Sequence, residues 1–216
     1  MSWVNKDTEI YCSFAKNAGN TGCQMMNTAF HYYGLNKIYK SFSVDNIEFA
    51  VNAVKTLNIK GFAITMPYKK EVLKYVDILD RSAEIGAANT VINKDGILKA
   101  YNTDYLAATD ILKDFEKKGE LYILGNGGYS TAVQAAARKL DMEYKIIDRT
   151  NWDMIKSIQN STIYNCTPVK NLDKIVNNNN SFIDCIVSTK TGKMLATIQA
   201  NYQFKLYTGL QFPLKR

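Results

Sequence analysis

Apolar positions along the chain alternate between short β-prone runs and stretches of helical spacing. Residues 9–13 (EIYCS) alternate as a strand does. After the polar loop KNAGNTG, apolar residues return at Met25, Met26, Ala29, Phe30 and Tyr33, one face of a helix halted by Gly34. A strand over 38–43 follows. Ile47, Ala50, Val51, Val54 and Leu57 then predict a second helix, with Asp45 as its N-cap. The run GFAITM, stopped by Pro67, predicts a strand buried on both faces, because proline cannot continue a central ladder. A helix is expected from Lys69, then a hairpin formed by 88–93 and 97–102 about Lys94-Asp95-Gly96.

From Asp104 the spacing of Ala108, Ile111, Leu112 and Phe115 predicts a helix that ends near Gly119 and connects two domains. The segment LYILGNGGYSTAVQAAARKLDMEYKIIDRT reads as a strand over 121–124, a glycine loop, an alanine-faced helix over 127–140 and a strand over 144–148. That is half of a Rossmann unit. Strands at 162–165 and 182–187 continue it, separated by a weak helix and surface loop in NLDKIVNNNNS, and an amphipathic helix covers 193–207. The fold class is α/β with two domains. An N-terminal α/β substrate domain occupies 1–103, with a C-terminal helix (191–216) packing back on it; a small Rossmann-like nucleotide-binding domain occupies 104–190.

Composition narrows the function classes. The 216 residues are 46% hydrophobic and 22% charged, and no apolar run approaches the ~18 residues of a membrane-spanning helix. The first residues carry no apolar stretch of signal-peptide length, so a cytoplasmic location is expected. Cys12, Cys23, Cys166 and Cys185 form no CxxC pair, and His31 is the only histidine, so no metal site is expected. Lysine and arginine outnumber the acids 27 to 20. No basic run exceeds two residues, Lys69-Lys70, Lys117-Lys118 and Lys215-Arg216 being examples, which argues against nucleic acid. The expected partner is a small-molecule substrate, with no nucleic acid and no membrane, bound by a monomer or homodimer.

The glycine loop suggests what else binds. In Gly125-Asn126-Gly127-Gly128-Tyr129-Ser130, Gly125 permits the strand-to-helix turn and Gly127 lets the backbone approach a pyrophosphate at the helix N-terminus. Cofactor choice belongs at the end of the next strand, Asp148-Arg149-Thr150. An acid there suits the ribose hydroxyl of NAD and an arginine the 2′-phosphate of NADP, and both are present. Three further clusters sit at predicted strand ends: Thr65-Met66-Pro67-Tyr68-Lys69, Gly86-Ala87-Ala88-Asn89-Thr90 and Asn102-Thr103-Asp104. A lysine and a carboxylate in one cleft can trade a proton with a substrate hydroxyl.

The stretch from ITMPYKK through GAANT to YNTD resembles the shikimate dehydrogenase (shikimate/quinate 5-dehydrogenase) family, whose pattern runs NVTxPxK, GAxNT and G-x-NTD. Gly125 to Ser130 and Asp148-Arg149-Thr150 resemble its GAGGAS loop and NRT motif. Asn165-Cys166-Thr167-Pro168 resembles its NATP turn, and Gln199-Ala200 through Phe204 to Gly209 its closing QAxxxF…WxG helix. The resemblance implies a catalytic pair, Lys69 and Asp104, and substrate hydroxyls held by Thr65, Asn89 and Gln199; Asn20 or Thr21, where the family has its carboxylate-gripping serines, can still donate a hydrogen bond to the substrate. The resemblance also implies cofactor contacts from 125–130, 148–150 and Thr167. The implied cofactor is NADP, with NAD the alternative, and the implied reaction interconverts 3-dehydroshikimate and shikimate in aromatic amino-acid biosynthesis. A relative acting on quinate or another hydroxylated cyclic acid, and a catalytically inactive ligand-binding relative, are the alternatives. The chain is a diverged member on this reading: Asn20-Thr21-Gly22-Cys23 stands where the family has SxSP, Ala63 where it has asparagine before VTxP, and Asp148 where it has the asparagine of NRT.

Overall fold

In the computed structural model, which describes residues 4–213, two sheets organise the chain. The Lys215-Arg216 pair and the outermost residues of the expected 1–103 and 191–216 segments lie outside the described residues. The chain divides into two compact units, one comprising residues 1–103 and 200–216, the other 104–199.

The first unit holds β1 (Glu9–Ala15), α1 (Thr21–Tyr32), β2 (Lys37–Ser43), α2 (Ile47–Thr56), β3 (Gly61–Ile64), β4 (Ile78–Leu79), β5 (Thr90–Lys94) and β6 (Ile97–Tyr101). Its strands lie in the order β2-β1-β3-β5-β6-β4. β1 pairs in parallel with β2 and β3, and the β5–β6 hairpin adds antiparallel to β3. Asp95 (φ 53°) and Gly96 (φ 86°) give the turn two left-handed residues, the geometry that matches strand twist in a two-residue hairpin loop. Alternation along β1 sends Cys12 and Phe14 into a core with α2, Phe62 and Ile64. It sends Tyr11 to the opposite face, among Met26, Phe30, Tyr39, Phe204 and Tyr207. Each large apolar side chain so buried contributes roughly 1.5–3 kcal/mol relative to exposure.

The second unit holds α3 (Thr103–Asp114), β7 (Leu121–Leu124), α4 (Gly128–Lys139), β8 (Tyr144–Ile147), β9 (Thr162–Asn165) and β10 (Ser181–Asp184). Its all-parallel sheet has the order β10-β9-β7-β8. Leu121 and Ile123 face α3 and α4, whereas Leu124 faces Ile147, Ile155 and Ile163.

Several expectations are corrected. The α2 N-cap is Asn46, whose Oδ1 accepts from Phe49 N–H at 3.0 Å, while Asp45, one residue before the cap, lies 3.2 Å from Lys16. The helix expected from Lys69 is one 3-10 turn, Glu71–Tyr75, since the chain must extend again to pair β4 with β6. The helix in NLDKIV is only the 3-10 turn Leu172–Lys174, and β10 stops at Asp184. The last helix, α5, runs Lys190–Thr208, and the division between units falls inside it. Leu195 packs with the second unit's core and Ala200, Phe204 and Tyr207 with the first's, so the boundary expected at 190 lies nearer 199.

Candidate active site

In the first unit, the strand ends that carry candidate chemistry are tied to one another by backbone hydrogen bonds. Beyond β3 the chain turns through Thr65, Met66, Pro67 and Tyr68, with Tyr68 N–H donating to Thr65 O at 2.9 Å. The buried Tyr68 anchors the turn through its Oη, which donates to Val44 O at 2.6 Å. The carbonyl of the half-buried Lys69 accepts from Ala88 N–H (2.8 Å), and Ile64 N–H donates to Asn89 O (2.8 Å). The structure therefore brings the Thr65–Lys69 turn and the Asn89 segment together.

Asn89 is itself fixed. Its Oδ1 accepts from Thr103 N–H (2.8 Å) and from Thr90 Oγ1 (3.1 Å), and its Nδ2 donates to Thr103 Oγ1 (2.9 Å). Asn102 is held alongside, with Nδ2 donating to Ala87 O (2.8 Å) and its N–H to Ser82 Oγ (3.0 Å). Ser82 in turn donates to Asp80. Burial pushes the Asp80 carboxyl up, but the Ser82 N–H and hydroxyl and the Lys99 ammonium outweigh it and hold it below the ordinary aspartate range. Asp104 follows Thr103 in the first turn of α3 and is buried, as the first residue of the second unit.

Asn20 and Thr21, at the start of α1, are exposed, and the Asn20 side chain makes no capping bond to the helix. The loop before them is tied to the other strand ends: Lys16 N–H donates to Met66 O (3.2 Å) and Ala18 N–H to Ser43 Oγ (3.0 Å). Thr65 is exposed, and Gln199 is half-buried on α5. One turn beyond Gln199, the buried Gln203 donates to Thr90 Oγ1 at 2.8 Å. Sequence reasoning missed Gln203. The signal was its i+4 spacing from Gln199, which puts both on one helix face.

In the second unit, β7 connects to β8 on one side while β9 lies on the other. The crevice at the carboxyl ends of β7 and β9 is thus the sheet's switch point, where ligands of such sheets bind. Gly125 sits there at φ +95°, its N–H donating to Ile147 O at 2.7 Å. A Cβ on Gly125 would lie 2.7 Å from Thr167 Cγ2, whereas one on Gly127, the N-cap of α4, would meet open space. Thr167 is locked by its Oγ1, which donates to Asn165 Oδ1 at 2.7 Å. Ser130 is buried and accepts from Gln134 Nε2, and Asn126 is exposed. Tyr129 Oη lies 3.0 Å from Tyr164 Oη, and burial pushes both phenols well up.

The end of β8 separates the two cofactor signals. Asp148 Oδ1 accepts from Thr150 N–H (2.9 Å) and Thr150 Oγ1 (2.7 Å), bonds that hold its carboxyl below the ordinary range. Arg149 is exposed and makes no hydrogen bond or ion pair among the described residues. Open backbone at Gly127 and an uncommitted guanidinium at Arg149 fit a dinucleotide bearing a 2′-phosphate. Among the described residues no group of three His, Cys, Asp or Glu could hold a metal ion, and no helix is long and apolar enough to cross a membrane.

Residues 21–91 match the model of the shikimate dehydrogenase substrate binding domain. A shikimate dehydrogenase-like protein of Haemophilus influenzae is 36% identical over 143 residues, 65% of this chain and 53% of the relative. A shikimate dehydrogenase (NADP(+)) of Clostridium beijerinckii is 31% identical over 217 residues, covering 86% of this chain and 80% of its own length. A solved shikimate 5-dehydrogenase-like protein superposes with a TM-score of 0.82 at 28% identity, covering 98% of this chain and 95% of that one. The chain spans about half the length of the first three curated relatives it matches, 53%, 49% and 46%.

Proposed function

Because the chain belongs to the shikimate dehydrogenase family, we propose that it is an NADP-dependent oxidoreductase interconverting 3-dehydroshikimate and shikimate. The observation that carries this reading is the tie between the Lys69 turn and the Asn89 strand end, which holds a lysine and a hydroxyl-recognising amide in one rigid frame. On this reading, residues 1–103 with the last helix bind substrate and the second unit binds the dinucleotide. Thr65, Asn89 and Gln199 contact the substrate hydroxyls, with Asn20 and Thr21 at its carboxylate. Backbone N–H groups of 125–130 receive the pyrophosphate, Arg149 with Thr150 the 2′-phosphate, and Thr167 lines the crevice.

The bound dinucleotide supplies the hydride acceptor or donor. The chain's own residues manage the proton: as the carbonyl forms, the proton of the substrate hydroxyl passes to the pair formed by Lys69 Nζ and the Asp104 carboxyl group. The return reaction reverses the transfer. The Clostridium beijerinckii relative, named an NADP(+) enzyme, supports the cofactor. Four free cysteines suit a reducing, cytoplasmic compartment.

Asn20 and Gly22, standing where the family has two serines, favour one second reading, in which the substrate is quinate or a related hydroxylated cyclic acid. The test is absorbance at 340 nm with NADP and NAD, each offered against shikimate and quinate. Turnover is expected with NADP, and K69A is expected to lower kcat by about 10²–10⁴-fold while leaving KM nearly unchanged. Turnover that K69A leaves intact would remove Lys69 from the proton path. No turnover by folded protein with any pair would leave a binding-only relative.

A further inference from the structure

Gln203 stands at one of the unspecified positions of the closing QAxxxF…WxG helix, yet it is buried and reaches across the first unit to β5. Its Nε2 lies 2.8 Å from Thr90 Oγ1, and Thr90 Oγ1 lies 3.1 Å from Asn89 Oδ1. Proton counting fixes the direction of this chain. Thr103 N–H can only donate, so the atom it meets at 2.8 Å must be the Asn89 carbonyl oxygen. The Thr90 hydroxyl has one proton. If Gln203 presented Oε1, that proton would go to it, and two bare acceptors would face each other at 3.1 Å across Thr90 and Asn89. Gln203 therefore donates, Thr90 relays, and Asn89 Oδ1 is filled by donors.

What remains on Asn89 is its amide nitrogen. One Nδ2 proton goes to Thr103 Oγ1 at 2.9 Å, and the second has no acceptor among the described residues. A buried donor left unmet costs stability, so such a group points to an acceptor that arrives with a ligand.

We propose that Gln203 is a positioning residue for substrate: acting through Thr90, it adds a donor to the Asn89 Oδ1 that Thr103 already fills, and so helps hold Asn89 with its amide nitrogen presented as a hydrogen-bond donor to an oxygen lone pair of the substrate. The inference rests on the dehydrogenase reading for the identity of that substrate, but not for the hydrogen-bond chain itself. Q203L and T90V each interrupt the chain without adding bulk. Both are expected to raise substrate KM about tenfold, with kcat and the KM for NADP within about twofold of the parent. T90S, which keeps the hydroxyl, restores what T90V loses. The double variant Q203L/T90V is no worse than the weaker single variant, because both act through one relay.

A purely structural role would lower the melting temperature without this split between KM values. Unchanged substrate KM in Q203L and T90V, or additive effects in the double variant, would overturn the proposal. A second readout needs no turnover. In the 1H–15N spectrum, the Asn89 side-chain amide pair should move in Q203L and T90V and stay in place in T90S. If those resonances do not move, the relay is refuted whatever the enzyme's activity. If they move while the parent turns over nothing, the relay stands and the dehydrogenase reading fails.

Discussion

Replacing Gly125 by alanine tests the nucleotide loop through stability alone, before any cofactor is added. Two costs are visible. At φ +95° an L-residue is strained, which costs about 1–3 kcal/mol. The new methyl also lands 2.7 Å from Thr167 Cγ2. A free threonine would rotate away. This one cannot do so cheaply, because its Oγ1 donates to Asn165 Oδ1 at 2.7 Å and accepts from Val169 N–H at 3.2 Å. Freeing it forfeits about 1 kcal/mol, so G125A should destabilise the second unit by about 2–4 kcal/mol. The assay is urea unfolding followed by Trp152 fluorescence in a Trp3→Phe background, since Trp152 packs against the second unit's core. The companion variant G125A/T167S keeps the locking hydroxyl but removes the offending methyl, and should recover about 1 kcal/mol while leaving the backbone strain. A loss below about 0.5 kcal/mol in G125A, or no recovery in the double variant, would refute the reasoning.

Two further predictions concern the first unit. N46A removes the only side-chain cap on α2 and should cost about 1 kcal/mol in urea unfolding, whereas N46D should retain most of the stability. Asp77 accepts Leu98 N–H at 2.8 Å and pairs with Lys55, which holds its carboxyl below the unfolded value of about 3.9. A folded pKa below the unfolded one means that the stabilisation is complete above the unfolded value and is lost as pH falls through the folded one. The melting temperature of D77N should therefore fall less steeply than the parent's in that acid window, and parallel curves would exclude the linkage.

The elements that sequence alone reveals are those whose pattern is local. The alternation of Leu121 and Ile123 against Leu124, the buried run at 61–64 and the hairpin about Asp95-Gly96 each carry their own periodicity or turn chemistry. Asn46 was not legible as the cap because Asp45 beside it is equally suited by residue type, and a shift of one residue in the helix start leaves the apolar spacing unchanged. The turn after Lys69 failed as a helix because β4 must be extended to meet β6, a demand that the local apolar spacing does not record. At the site, the clusters at 65–69, 86–90 and 102–104 stood out by residue type; a backbone bond ties the first to the second, and the Asn89 and Asn102 side chains tie the second to residues 102 and 103. Gln203 remained hidden because its partner Thr90 lies 113 positions earlier.

The position of α5 governs the order in which the molecule can be made. The second unit is contiguous, so most of it leaves the ribosome as one piece and can fold as soon as it emerges. The first unit cannot finish then. Its aromatic face needs Phe204 and Tyr207, and Tyr11 Oη reaches Tyr207 O across 196 positions. Until that late segment arrives, Phe30 and Tyr39 lack their cover and remain available to unwanted partners. Closing so long a loop is an entropic toll on rate more than on final stability. A nascent chain arrested before Ala200 should thus carry a finished sheet order in its second half and an open, chaperone-dependent surface in its first.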